Sequence, residues 1–328
     1  MPTSAQQHIL MAKNLYRTHR LYLTLALLLS FSLFSFAQQS ELNFQNDNDL
    51  YLLNKQDQYY TNGIFFSIRK TADSALLTST EANRLWGITV AQQMYNAYTA
   101  QIHYIEEVDR PITAYLFLRF NMDRFFANET FVSLIGELGT IGRRALGRQF
   151  QEGVHRALNL YEIAGWEYQL NNAVGVNAAV QYGGLLFRND AQWFDLSAQG
   201  RVTLGLNHTD ASIASVFRFG RINPLHQSAY TSSRLQARGE AVDNEFFFFY
   251  QPQLKLVGYD ATLQGGIFLR DKGPVTHTPS RWMSYHQFGF VYAKQALTLR
   301  MQYMFYSKEV PGMFFRHRYG SIGAGYRF

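Results

Sequence analysis

Residues 194–206 read FDLSAQGRVTLGL, and thirteen residues of alternation decide the fold. Phe194, Leu196, Ala198, Gly200, Val202, Leu204 and Leu206 share one parity; Asp195, Ser197, Gln199, Arg201 and Thr203 hold most of the other. Period two is the mark of a β-strand with one apolar and one polar face. The pattern returns at 297–305, where Leu297, Leu299, Met301, Tyr303 and Phe305 oppose Thr298, Arg300 and Gln302, and again at 64–69. Such segments run about 9–13 residues, long for a globular strand and suited to a tilted bilayer crossing. Composition agrees: aromatics make up 16% and charged residues only 16%, against the roughly 25% charge of a soluble domain.

The first forty residues contain no Asp or Glu. Lys13, Arg17 and Arg20 precede an uncharged, Leu- and Phe-rich run from Leu21 to Phe36, closing on Ser35-Phe36-Ala37. A basic segment, an apolar stretch and a small-residue exit predict a secretory signal peptide over 1–37, with a single domain over 38–328. Losing those three cations drops the net charge from +6 to +3, too little to indicate a nucleic-acid partner. Cysteine is absent, so neither disulfides nor thiolate metal sites hold the exported chain together.

An exported chain of amphipathic strands must close its edges if its apolar face meets lipid. Aromatics crowd the segment ends, at Tyr95, Trp193, Phe246–Tyr250 and Tyr303–Tyr306, as interfacial girdles require. The last strand ends on Tyr326-Arg327-Phe328, with Ile322, Ala324, Tyr326 and Phe328 on one face. These features predict an all-β, transmembrane antiparallel barrel. Candidate strands fall at 41–47, 60–70, 86–95, 112–120, 129–138, 166–182 (one strand or two), 193–206, 211–220, 243–257, 261–270, 284–293, 296–306 and 318–328. That gives twelve to fourteen, with twelve preferred. Loops are expected at 96–111 and 141–165, and Gln151 and His155, four apart, would share one face of a short helix in the second.

No nucleophile elbow, zinc-protease helix or phosphate loop occurs. Asn46-Asp47-Asn48-Asp49 fails as an EF-hand, because Tyr51 and Leu52 occupy positions that need a ligand and a glycine. Four segments carry more information together: Phe44–Tyr51 (FQNDNDLY), Asp57–Gly63 (DQYYTNG), Asp109-Arg110-Pro111 and Gln151–His155 (QEGVH). In this order, behind a signal peptide, they resemble the LpxR family of outer-membrane lipid A 3'-O-deacylases over about residues 46–171.

The resemblance implies a twelve-stranded barrel, an outer-membrane location and a calcium-dependent esterase that releases the 3'-linked acyl chain of lipid A. It implies lipid A or lipopolysaccharide in the outer leaflet as partner, no nucleic acid, and a monomer. Its site positions fall on Asn46, Asp47, Thr61, Gln151 and His155. His155 would take a proton from water, Asp47 would hold Ca²⁺ with Asp49 as a further ligand, and Asn46 would help to stabilise the oxyanion. Thr61 and Gln151 would position water, metal or substrate.

Parity supports part of this. Thr61 and Asp47 match polar faces, whereas Asn46 shares the parity of Leu42 and Phe44, so either the strand ends there or a bulge turns it inward. The doubled Asn-Asp leaves two registers, 46/47 and 48/49. Two other functions fit the same chain: an outer-membrane phospholipase, and a non-catalytic porin or lipopolysaccharide-binding barrel.

Overall fold

The computed structural model describes residues 39–52, 57–236 and 242–328. The expected signal peptide lies outside them. Twelve strands follow one another: β1 (Ser40–Asn48), β2 (Tyr60–Thr71), β3 (Glu81–Tyr95), β4 (Thr113–Phe126), β5 (Thr130–Ile141), β6 (Ala173–Arg188), β7 (Phe194–Gly205), β8 (His208–Arg221), β9 (Glu245–Asp260), β10 (Trp282–Lys294), β11 (Leu297–Tyr306) and β12 (His317–Arg327). Each pairs antiparallel with its sequence neighbour, and β1 closes on β12 from Glu41–Arg327 to Asn48–Gly320. Closure leaves no open edge, which is what a hydrocarbon surround demands. Among the described residues no helix is long and apolar enough to cross a membrane, so the strands do the crossing.

Two sequence expectations change. Residues 261–270 are not a strand: Asp260 caps a four-residue helix, α2 (Ala261–Gln264), by accepting from the Thr262 N–H at 2.8 Å. The 166–182 segment yields one strand, β6, which starts only at Ala173 after a short turn at Trp166–Tyr168.

Alternation sorts the wall as the sequence requires. Ile88, Phe120, Gly136, Ala178 and Leu204 stand opposite one another in successive strand pairs and form one outward row. The inward set is polar and charged. Of the six odd-numbered connections, those after β1, β3, β5, β9 and β11 are long and the one after β7 is short; this is the loop end. Four of the five at the other end are short. The exception lies between β8 and β9, where residues 222–236 fold back into the barrel mouth. Asn83 of β3 donates to the carbonyls of Ser233 and Leu235 (2.5 Å to the latter), and Glu129 accepts from the Leu225 N–H at 2.8 Å. Arg300 of β11 reaches Ala229 O at 2.7 Å, while Leu235 packs among Leu85, Phe125 and Phe131. A segment held by strands on opposite sides of the barrel is a plug.

Buried ion pairs ring this turn end: Arg218 with Asp195, Arg327 with Glu41, Arg188 with Glu129, Arg234 with Glu245, and Arg84 and Arg124 with Glu81. At the loop end Tyr60, Tyr95, Tyr115, Tyr306 and Tyr319 cluster across the lumen. The lumen thus lies between a tyrosine layer and a plug.

Candidate active site

The β5–β6 connection builds the centre. Its helix, α1 (Gly147–Leu158), buries Gly147, Gln151 and His155, three residues at spacing four that form one stripe. Gly147 is needed for the close approach, since a Cβ there would stand 2.5 Å from the Ala114 methyl and 2.6 Å from the Trp166 ring. The opposite face carries Arg148, Glu152 and Arg156 to solvent, and Arg148 pairs with Glu152 at 2.6 Å.

His155 is fixed at both nitrogens. Nδ1 lies 2.9 Å from the Tyr161 carbonyl oxygen, which only accepts, so Nδ1 carries a proton and donates. Nε2 lies 2.9 Å from Asp57 Oδ2 and is the nitrogen left for acid–base exchange. Gln151 Nε2 donates to the same Asp57 oxygen at 2.8 Å, and Trp166 Nε1 donates to Gln151 Oε1 at 2.8 Å. The Asp57 N–H in turn donates to the Tyr161 phenol at 3.1 Å. Two helix residues, a loop carboxylate, an indole and a phenol therefore form one connected network. Burial, then the Asp57 charge, push the Tyr161 phenol above its ordinary range.

The β1–β2 connection supplies the other half. Asn48 Oδ1 accepts from the Leu50 N–H at 2.7 Å, which turns the chain off β1 into a short 3₁₀ turn, Asp49–Leu52. Asp49 accepts from the Gln58 N–H at 2.7 Å and from the Thr61 hydroxyl at 3.3 Å. Thr61 sits in a β-bulge, where the β2–β3 register slips between Tyr60 and Asn62. Asp49 is buried and forms no ion pair among the described residues. Burial, with the Asp57 charge next in weight, pushes its carboxyl up to about 8.

The first Asn-Asp pair lies elsewhere. β1 runs in unbroken register past Asn46, so the side chain stays on the outer face, with no bulge to turn it. Its amide donates to Gly63 O at 3.0 Å and accepts from the Tyr51 phenol at 2.6 Å. Asp47 points into the lumen and accepts from Gln45 Nε2 and from the Tyr60 hydroxyl, each at 2.8 Å. The hydrogen bonds thus join Thr61 to Asp49, and Gln151 and His155 to Asp57; none of them joins Asn46 or Asp47 to that network. Asp109-Arg110-Pro111 ties the loops together: Asp109 accepts from the Tyr59 hydroxyl at 2.7 Å, and buried Arg110 donates to Glu309 at 2.6 Å.

Sequence reasoning missed Asp57 and Tyr161 as partners of His155, and Trp166 as the partner of Gln151. Asp57 opens the DQYYTNG segment, so its position was quotable; its pairing across 98 residues was not. As a metal site, the donors are hard oxygens, two carboxyl groups and a hydroxyl, with Asp49 buried and without a cationic partner among the described residues. That chemistry fits Ca²⁺. No group of three His, Asp or Glu ligands gathers among the described residues, so backbone carbonyls and water would have to complete the shell.

A closed twelve-stranded transmembrane barrel with a histidine–carboxylate cluster at its loop end is the class defined so far. The sequence matches the family described as outer membrane protein LpxR over residues 21–328, and the chain belongs to that family and to the outer membrane. The fold is similar to the solved structure of LpxR from Salmonella typhimurium, with a TM-score of 0.69 at 18% identity over 88% of this chain and 100% of that one. The β domain of the Bordetella autotransporter BrkA matches at a TM-score of 0.43 and 12% identity, over 89% of this chain and 99% of that one. The KdgM porin matches at 0.39 and 6%, over 88% and 99%. Among curated proteins, none matches the sequence.

Proposed function

We propose that this protein is an outer-membrane esterase that hydrolyses the 3'-linked acyl chain of lipid A. The observation that carries the reading is the His155–Asp57–Gln151 cluster facing Asp49 and Thr61 at the loop end of an LpxR-family barrel. A lipid ester of the outer leaflet reaches that end without crossing the wall.

The roles follow from the contacts. With Nδ1 locked to the Tyr161 carbonyl, Nε2 is the nitrogen that exchanges protons: an attacking water that enters between it and Asp57 gives up its proton there, and the Asp57 carboxylate stabilises the imidazolium that results. Gln151 holds Asp57 in place and is itself held by Trp166. The proton later passes from Nε2 to the departing alkoxide. Of the two Asn-Asp registers, we assign the function to Asn48 and Asp49. Asn48 Oδ1 accepts from the Leu50 N–H and so sets the turn that presents Asp49 to the site. Asp49, with Thr61 and Asp57 beside it, would hold Ca²⁺. A bound cation would displace the proton that burial holds on Asp49 and would polarise the ester carbonyl.

Mass spectrometry of lipid A from outer membranes with and without the protein tests the reading. A loss equal to the 3' acyl group is expected, absent with a chelator, restored by added Ca²⁺, and absent in His155→Ala. An unchanged profile on lipid A that carries the 3' ester, with correctly inserted protein, would sink it. Release of fatty acid from phospholipid alone would transfer the site to a phospholipase.

A further inference from the structure

Asn46 places an amide on the lipid-facing side of β1, in line with Leu42 and Phe44 and opposite the exposed Ile322 of β12. A polar side chain facing hydrocarbon is costly unless it is bonded, and its retention there calls for a function. Both ends of this amide are bonded, to Gly63 O at 3.0 Å and to the Tyr51 phenol at 2.6 Å.

The second bond sets the direction of Tyr51. The residue sits in the turn above β1, yet its hydroxyl reaches back to a residue two positions below the strand end. A tyrosine that merely anchors a barrel points its hydroxyl the other way, toward headgroups and water. The return path exists because β12 has Gly320 under the ring: a Cβ there would stand 2.7 Å from the Tyr51 Cβ. So folded, Tyr51 remains 41% exposed and Leu50 49% exposed, while Asp49 beside them is buried. Below this shelf the outer wall continues through Ile322, then through Ala324 opposite Phe44, whose ring lies 5.1 Å from that of Phe66.

We infer that Tyr51, held ring-down by Asn46 over Gly320, is a shelf on the outer wall that receives one acyl chain of a membrane lipid and leads its ester to Asp49 and His155. The occupant is an acyl chain because the exposed surface is apolar, lies on the hydrocarbon side of the rim and adjoins the proposed ester-cleaving groups. The inference rests on the esterase reading for its destination, but the shelf itself is a binding surface. Tyr51 touches the chain; Asn46 and Gly320 position Tyr51.

The test uses the full-length protein folded into bilayers containing lipid A. Tyr51→Ala and Gly320→Val are each expected to raise KM for lipid A about tenfold, with kcat changed less than twofold, as loss of apolar contact and not of chemistry requires. Tyr51→Phe, which keeps the ring but loses the bond to Asn46, is expected to recover only part of the loss. Heat-modifiable migration on gels reports whether each barrel is folded. In a His155→Ala background, native mass spectrometry reads lipid A retention, which Tyr51→Ala should reduce by a similar factor.

Wild-type KM together with wild-type retention in folded Tyr51→Ala and Gly320→Val overturns the shelf and leaves the esterase reading intact. A wild-type protein that cleaves no lipid A, but whose His155→Ala form loses lipid A retention with Tyr51→Ala, overturns the esterase reading and leaves the shelf.

Discussion

At the scale of single residues, the site depends on which partner each polar atom has. Asp57 accepts from Gln151 and faces His155 Nε2 with one oxygen, so Asp57→Ala removes two supports at once. Its expected effect is a fall in kcat of about 10²–10⁴-fold, the range of a general base that has lost its orientation. Trp166→Phe tests the next contact outward, because it removes only the indole N–H that Gln151 Oε1 accepts at 2.8 Å. A smaller fall of about tenfold is expected, with the barrel unaffected. A steady-state comparison of the two variants against His155→Ala checks the order; equal activity of Asp57→Ala and wild type would remove Asp57 from the mechanism. Stability rests on residues at the opposite end. Asp195 and Arg218 are fully buried together, so Asp195→Ala leaves an unpaired guanidinium in the wall, at a cost of about 3–5 kcal/mol. Urea unfolding in detergent or bilayers measures that loss.

At the scale of elements, α1 is held by packing more than by intrinsic helix-forming tendency. It begins after Leu146 and ends at Asn159, both with positive φ, and it has no side-chain N-cap. What fixes its position is the stripe of Gly147, Gln151 and His155 against Trp166 and β4. Gly147→Val would force the helix away from the Trp166 ring, because the methyl groups have no room. Activity should fall at least tenfold while the strands stay folded. Amide exchange should show faster opening confined to the β5–β6 connection, and unchanged protection there would disprove the packing argument. The β1–β2 turn works alongside it: Asn48 initiates it, Asp49 faces the site and Tyr51 drapes over the wall.

At the scale of the whole molecule, side chains fill the barrel at both mouths. The tyrosine layer closes the loop end, and residues 222–236 enter the other mouth with hydrogen bonds to β3, β9 and β11. The prediction in planar bilayers is no stepwise conductance for the intact protein. Replacing residues 225–236 by a short Gly-Ser linker should produce measurable steps. Frequent large steps from the intact protein would instead favour the porin alternative.

Much of this architecture is carried by local pattern. Alternation such as that of 194–206 specifies strand and face at once, because a shift of one residue would turn every apolar side chain inward. Export, lipid contact and the need to leave no edge then require closure. The Gln151–His155 spacing likewise gave a shared helix face from local geometry alone. Local pattern fails where long-range contacts decide. Residues 261–270 have strand-like composition, but Asp260 caps a helix there. Asn46 and Asp47 read as a functional pair, yet in an unbroken strand adjacent residues must point to opposite faces, one to lipid and one to the lumen. The partner of His155 is Asp57, 98 residues earlier in the chain, and only barrel closure brings the two loops together. The sequence by itself determined period and face; the tertiary structure decided which carboxylate meets which base, because that choice depends on distances that no local pattern encodes.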